Sequence, residues 1–441
     1  MRELFGTDGI RAKAHQYPLD PATMFALGEA LAHRVGRDAT VLLGMDTRES
    51  GPEIARSLSA GIAAGGARAV LVGVIPTPGI AYLCRITDAA ASISISASHN
   101  PYEDNGVKIF GHDGMKLPDS VEEAIEDELR ALRREDVVIP DAPVTENEEL
   151  IEAYERFLIS GVPPGALAGR KVVLDTGYGA AYRIAPEVFR RAGADVVVIH
   201  DAPNGTNINE SSGALHPQRL AEIVVEQQAD YGVAFDGDAD RAIFADDKGK
   251  IRDGDEIIYL WAKYLRAHDE LRGGCVVTTV MSNFGFEKQL KADGIELCRA
   301  NVGDKYVLEL MLQRDSILGG EQSGHIIDRT VHTTGDGIHT ALVFGHILGE
   351  MRRPFSELHT FEPMPQLLLN EKVSAKPPLD SLLRYQAAQQ KALAELEGRG
   401  RILVRYSGTE NLVRVMVEGE DDAQIRRIAE ELRAVLKEEI G

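Results

Sequence analysis

A serine next to an imidazole at the end of a strand is a natural place for nucleophilic or phosphoryl chemistry, and Ser94-Ile95-Ser96-Ala97-Ser98-His99-Asn100-Pro101 provides one. Its hydroxyls alternate with small apolar residues, the period of a strand, and His-Asn-Pro then stops it. Ser98 is left on the turn, where its hydroxyl can attack or carry a phosphoryl group. A polar loop after an edge strand is the plainer reading of the same residues. Further along, the strand-like Tyr231–Phe235 runs into Asp236-Gly237-Asp238-Ala239-Asp240-Arg241. Three carboxylates at i, i+2 and i+4 converge when a glycine lets the backbone curl, and they repel one another unless a cation joins them. Hard carboxylate oxygens suit Mg²⁺, with Ca²⁺ or Mn²⁺ as alternatives. An EF-hand loop is excluded, since its sixth and twelfth positions need Gly and Glu and here hold Arg241 and Asp247. Arg241 can face a phosphate while the aspartates face the metal.

Three other loops carry related chemistry. Gly319-Gly320-Glu321-Gln322-Ser323-Gly324-His325 can bring Glu321 and Ser323 to sugar hydroxyls, with His325 donating or accepting a proton; a plain polar turn reads the same. Arg405-Tyr406-Ser407-Gly408-Thr409-Glu410-Asn411, followed by Arg414, combines hydroxyls, glycine-exposed N–H groups and two arginines into a phosphate clamp. Phe5-Gly6-Thr7-Asp8-Gly9-Ile10-Arg11 is a compact turn ending in Arg11, and Asn105-Gly106-Val107-Lys108 presents a lysine. Either cation can balance charge on a transferring phosphoryl group or simply sit on the surface. His33 and His200 show no partner pattern. The chain has no GxxxxGK[ST], GxSxG or HExxH, which excludes the P-loop, common serine-hydrolase and zinc-protease readings.

The elements that must position these loops repeat. Val41–Leu43, Val172–Leu174 and Val276–Val280 are each followed by a polar turn, a helical stretch, a glycine stop and a second apolar strand. That alternation predicts three related α/β units with largely parallel sheet. The tail differs. Arg401–Arg405 and Leu412–Val417 read as two strands around a turn, and a helix after Asp421-Asp422 has Ile425, Ile428, Leu432 and Val435 on one face. Prolines 363, 365, 377 and 378 suggest a boundary or linker near 360–380. The expected fold class is α/β: three similar mixed-sheet domains at 1–148, 149–248 and 249–365, plus a smaller α+β domain at 366–441, around a central cleft. A length of 441 residues accommodates that many domains.

The net charge of −21 argues against sequence-independent binding of nucleic acid or anionic membrane. An anionic substrate must therefore be held by local Lys and Arg. Cys84, Cys275 and Cys298 are odd in number and far apart, which fits a reducing cytoplasm better than a disulfide framework or a cysteine zinc site. No basic leader, apolar signal run or membrane-spanning apolar segment is expected.

With GTDGIR, SASHNP, DGDADR, GGEQSGH and RYSGTE…R in that order, the chain resembles the α-D-phosphohexomutase superfamily from residue 4 to about 435. The FGTDGIR opening, Gln322 where hexose-specific relatives commonly have Met, and SGTE followed by VRVMVEGED resemble most its bacterial members that act on amino sugars. The resemblance implies that Ser98 carries the phosphoryl group. Mg²⁺ would be held by Asp236, Asp238, Asp240 and a phosphate oxygen on Ser98. Glu321 and Ser323 would bind sugar hydroxyls, and Arg405, Ser407, Gly408, Thr409 and Arg414 would hold the non-reacting phosphate. Arg11, His99, Lys108, Arg241 and His325 would line the reacting centre, with Lys108 the leading acid–base group and His325 assisting. The implied activity interconverts a 6-phosphosugar and its 1-phosphate through a sugar 1,6-bisphosphate, feeding nucleotide-sugar synthesis; a glucose or mannose phosphate mutase is the alternative. A homodimer is an expected assembly. Two positions depart from the pattern: Ala239 stands where relatives usually have Gly, restricting the backbone of the metal loop, and Asn411 stands where Pro is usual. A metal-dependent phosphatase would put Thr or Val where the chain has Asp240, and a non-catalytic sensor would have lost Ser98 or the aspartates.

Overall fold

Continuous apolar runs such as Val41-Leu42-Leu43 and Val172-Val173-Leu174 are fully buried, as strands of a parallel sheet covered on both faces must be. The computed structural model of the chain describes residues 4–6, 8–141, 145–407 and 411–441. They form two compact units, Met1–Thr279 with Cys298–His359, and Val280–Leu297 with Thr360–Gly441. Among the described residues there are thirteen α-helices and four sheets, and the three larger sheets are of mixed or α/β character as the repeats predict.

In the first unit, the six-stranded sheet runs in the order Ile10–Lys13, Asp104–Gly111, Ala89–Ile95, Thr40–Met45, Arg68–Val74, Thr145–Glu146. The strands from Ala89–Ile95 onward are parallel, and the first two are antiparallel to their neighbours. The five-stranded sheet pairs Lys171–Asp175 in parallel with Asp195–Ile199 and Tyr231–Phe235, then turns back through Ala242–Asp246. The third sheet holds Cys275–Thr279 beside Leu318–Gly320, which pairs with Ile326–Asp328 around the Glu321–His325 loop.

The second unit contains an antiparallel sheet of three strands, Gln366–Lys372, Leu412–Gly419 and Gly400–Tyr406, with the middle one central. A boundary or linker near 360–380 and two strands are the expectation, and the second unit does resume at Thr360. The structure puts a full strand at Gln366–Lys372, directly after Pro365, because its backbone completes the otherwise unpaired edge of Leu412–Gly419. The helix Asp422–Ile440 starts at Asp421, whose carboxylate accepts from Gln424 N at 2.9 Å. It buries Ile425, Ile428 and Leu432, as its periodicity requires.

Within the first unit, the helices Pro21–Val35 and Gly51–Ala64 cross at backbone contact. A Cβ at Gly61 would overlap Phe25 O, and one at Gly28 would overlap Leu58 O. Gly61→Ala is expected to cost about 1–3 kcal/mol, read as a lower urea midpoint with an unchanged slope. A midpoint equal to that of the parent chain would contradict the close crossing.

Candidate active site

Parallel strands deliver polar loops at their carboxyl ends, and the first sheet delivers two side by side, Asp46-Thr47-Arg48 and Ser98-His99-Asn100. Ser98 adopts a left-handed conformation, φ 53°, a state that costs a non-glycine residue about 1–3 kcal/mol and persists only where its surroundings over-determine it. Its N–H donates to Ser96 Oγ at 2.9 Å, and its Oγ donates to Asp236 Oδ2 at 2.5 Å. His99 Nδ1 lies 3.2 Å from the same Oγ. Burial, helped by the charges of Arg241 and Arg11, pushes the His99 imidazole down to about 4, so it is neutral at physiological pH.

The triad comes from the hairpin between Tyr231–Phe235 and Ala242–Asp246. Asp236, Asp238 and Asp240 are all buried and present oxygens within 4.8 Å of one another. Asp238 Oδ1 and Asp240 Oδ1 are buried without a hydrogen-bond partner, a costly state for carboxylate oxygens. Unsatisfied, mutually repelling hard oxygens are a donor set that fits a divalent cation. Burial and the charges of Asp240 and Asp238 push the Asp236 carboxyl well above the usual range. Asp240 goes the other way: burial raises it, but Lys108, His325 and Arg241 outweigh burial and hold it ionised. Ala239 takes the left-handed conformation a glycine would favour, φ 54°. Hydrogen bonds from its N–H to Asp236 O and from Gly337 N to its carbonyl, both 3.0 Å, hold it there. The methyl therefore does not prevent the three carboxylates from converging.

Positive charge is arranged around them. Lys108 Nζ lies 3.0 Å from Asp238, 3.4 Å from Asp240 and 3.1 Å from Asp8. Burial opposes its charge, but those three carboxylates outweigh burial and hold it as an ammonium. Arg241 N donates to Asp236 Oδ1 at 3.2 Å, and its side chain approaches Asp240 at 3.7 Å. Arg11, on the strand Ile10–Lys13, pairs with Asp8. His325 Nδ1 lies 3.6 Å from Asp240, while Nε2 accepts from Gly335 N at 2.9 Å. Burial lowers its pKa and the Asp240, Asp304 and Glu321 carboxylates raise it, with a net upward shift. Glu321 accepts from Gly303 N at 3.3 Å, and Ser323 is exposed.

Arg405, Ser407 and Arg414 belong to the second unit; Gly408 and Thr409 lie outside the described residues. Arg405 and Arg414 stand directly opposite each other in the antiparallel register. Burial and the Arg414 charge lower the Arg405 pKa. Like charges at such a pair are destabilising, and a bound anion removes the penalty. Lys376 Nζ donates to Ser407 O at 2.8 Å, adding a cation to this end of the sheet.

Several contacts, at the site and away from it, carry no signal in the sequence. Thr77 Oγ1 donates to Asp238 Oδ2 at 2.7 Å, with no local motif to mark it. Lys116 bridges Asp8 at 2.5 Å and Asp304 at 2.6 Å; the Gly/Asp turn ending at Arg11 signals Asp8, but nothing signals its partners. His33 and His200, without a pattern in the sequence, pair with Glu128 at 2.7 Å and Asp175 at 2.9 Å.

Family models cover the chain in order. They are the phosphoglucomutase/phosphomannomutase alpha/beta/alpha domain I at 2–136, domain II at 152–249, domain III at 253–364 and the C-terminal domain at 368–435. The chain belongs to the phosphoglucomutase/phosphomannomutase family. Among its relatives, the phosphoglucosamine mutase of Solibacter usitatus is 46% identical over 100% of this chain and 99% of its own. That of Symbiobacterium thermophilum is 45% identical over 100% of both. The fold resembles a phosphoglucomutase/phosphomannomutase family protein from Burkholderia thailandensis, with TM-score 0.79, 21% identity, and 99% and 98% of the two chains covered. It also resembles Aspergillus fumigatus N-acetylphosphoglucosamine mutase in complex with GlcNAc-6P and magnesium, with TM-score 0.67, 17% identity, and 99% and 96% covered. No helix among the described residues is long and apolar enough to cross a membrane.

The depressed His99 pKa has a consequence in acid. Between the unfolded value near 6.5 and the folded value of about 4, the unfolded chain binds more protons. Stability from this group is therefore present above pH 6.5 and lost as pH falls toward 4. The His99 imidazole is expected to titrate near 4 by NMR, and His99→Gln to flatten the acid side of the stability profile. A midpoint near 6.5 would refute the buried, cation-flanked environment.

Proposed function

We propose that the protein is an intramolecular phosphotransferase, an isomerase that interconverts glucosamine 6-phosphate and glucosamine 1-phosphate through a phosphoryl group on Ser98. The observation that carries this is the Ser98 Oγ, 2.5 Å from Asp236 and beside three converging carboxylates. Support for the amino sugar comes from relatives at 43–46% identity named phosphoglucosamine mutase.

In the forward direction the sugar O1 attacks phosphorus on Ser98. The O1–P bond forms, the P–Oγ bond breaks, O1 gives up its proton and Ser98 Oγ gains one. The resulting 1,6-bisphosphate stays bound and reverses its orientation. Ser98 Oγ then attacks phosphorus on O6, which leaves with a proton, and glucosamine 1-phosphate is released. The same bisphosphate, added from outside, primes unphosphorylated Ser98. Mg²⁺, held by Asp236, Asp238, Asp240 and an oxygen of the Ser98 phosphoryl group, would supply neutralisation of the transferring charge. Arg11 and Arg241 stabilise the phosphoryl oxygens. Lys108, an ammonium at rest, gives a proton to the departing Ser98 oxygen and takes it back on return, with His325 assisting at the sugar hydroxyl and His99 beside Oγ. Glu321 and Ser323 bind sugar hydroxyls. Arg405, Ser407, Gly408, Thr409 and Arg414, with Lys376, hold the phosphate that is not reacting. We assign these roles to domains spanning 1–148, 149–248, 249–365 and 366–441, and the reaction to the cytoplasm, where three buried free cysteines stay reduced.

Phosphorus NMR with Mg²⁺ and a trace of sugar bisphosphate tests this, offering glucosamine 6-phosphate, glucose 1-phosphate and mannose 1-phosphate in parallel. Preferential conversion of the glucosamine ester is expected. Equal or faster turnover of the hexoses would move the assignment to phosphoglucomutase/phosphomannomutase, and release of free phosphate would overturn it. Ser98→Ala is expected to lower kcat at least about 1,000-fold while leaving substrate binding largely intact.

A further inference from the structure

The strained turn at Ser98 is gripped from behind by one side chain. Arg48 is 1% exposed, and its guanidinium reaches three carbonyls of the loop. Nη2 donates to Ser98 O at 3.0 Å and to Asn100 O at 2.9 Å, and Nη1 donates to Pro101 O. Nε donates to Asp46 Oδ2 at 2.9 Å. Asp46 also accepts from Ser96 Oγ at 2.6 Å, and Ser96 Oγ accepts the Ser98 N–H. A buried chain of hydrogen bonds thus closes on Ser98 from both its amide and its carbonyl.

The second sheet adds another hand. Asn209 Nδ2 donates to the same Ser98 O at 2.9 Å and to Asn100 O at 3.1 Å. Gly237, inside the carboxylate loop, lies so close that a Cβ there would come within 2.5 Å of Ser98 O and 2.9 Å of Asn209 Nδ2. The serine loop and the carboxylate loop are therefore registered against each other through the Ser98 carbonyl.

We propose that Arg48, with Asn209, is a positioning residue for phosphoryl transfer, rotating the Ser98, Asn100 and Pro101 carbonyls inward and holding Ser98 Oγ toward Asp236. Two physical effects follow. The left-handed conformation is maintained although serine disfavours it. Carbonyl oxygens, which repel a phosphoryl group, are turned onto a cation away from Oγ. The proposal rests on Ser98 being the phosphoryl carrier. Lysine keeps the charge of Arg48 but loses the planar fork that serves several acceptors at once.

The test uses the full chain with Mg²⁺ and glucose 1,6-bisphosphate. Phosphorylation of Ser98 is followed in a single turnover by intact mass, alongside steady-state kinetics and urea denaturation. Arg48→Lys is expected to slow phosphoryl transfer about 100-fold, with KM changed less than about threefold, because misplacement of a reacting atom by an ångström costs that order of rate. Asn209→Ala is expected to slow it about tenfold in the same way. Transfer at the parental rate per folded molecule in Arg48→Lys would reduce Arg48 to a packing residue and overturn the proposal. If Arg48→Lys does not fold, Asn209→Ala decides: a slower transfer supports positioning, and the parental rate overturns it. A parent chain that accepts no phosphoryl group overturns the Ser98 reading and this proposal with it.

Discussion

Three buried carboxylates within 4.8 Å of one another are the constraint around which the first unit is organised. Such a cluster is unfavourable by itself, because burial and mutual repulsion both penalise the charged form. The structure answers with Lys108 against Asp238 and Asp240, Thr77 on Asp238, Arg241 beside Asp240, and Ser98 on Asp236. Each of these groups contacts one or more of the aspartates, so two hydroxyls and two cations are gathered around the same three carboxylates. The residual mismatch, a raised Asp236 carboxyl and two oxygens without a hydrogen bond, is one that a bound cation would correct.

The second unit presents a smaller form of the same tension with the opposite sign. Arg405 and Arg414 face each other across two strands, an arrangement that stability alone disfavours. An anion is to these arginines what a cation is to the aspartates. Each site gathers like charges, which a ligand of the complementary charge would offset. In a chain of net charge −21, such a local reversal of sign stands out against the overall field.

The candidate site was legible in the sequence where its residues are local. Ser98 at a strand end and Asp236, Asp238 and Asp240 at alternate positions are patterns of one short segment, and the strand–turn–helix repeats foretell three sheets. Long-range partners leave no such trace. Lys116 reaches Asp304 across 188 residues, and Asn209 reaches Ser98 across 111; neither separation has a period or motif. Arg48 sits in a turn that reads as ordinary connection, because it faces inward and its partners, Asp46 apart, are backbone carbonyls. The strand Gln366–Lys372 is missed for another reason. Its burial alternates only weakly between exposed and half-buried, and surrounding prolines make the segment look like linker, yet its pairing is fixed by the neighbouring strand. Ala239 shows the converse: a methyl that argues against a left-handed turn is overruled by two backbone hydrogen bonds.

The most direct test of the carboxylate cluster is a titration of Mn²⁺ into the full chain followed by electron paramagnetic resonance, using Mn²⁺ as a probe for a hard divalent ion. One tightly held ion per chain is expected, displaced by Mg²⁺ and lost in Asp238→Asn. Binding that survives Asp238→Asn unchanged, or no specific binding at all, would contradict a cation as the partner these three aspartates require.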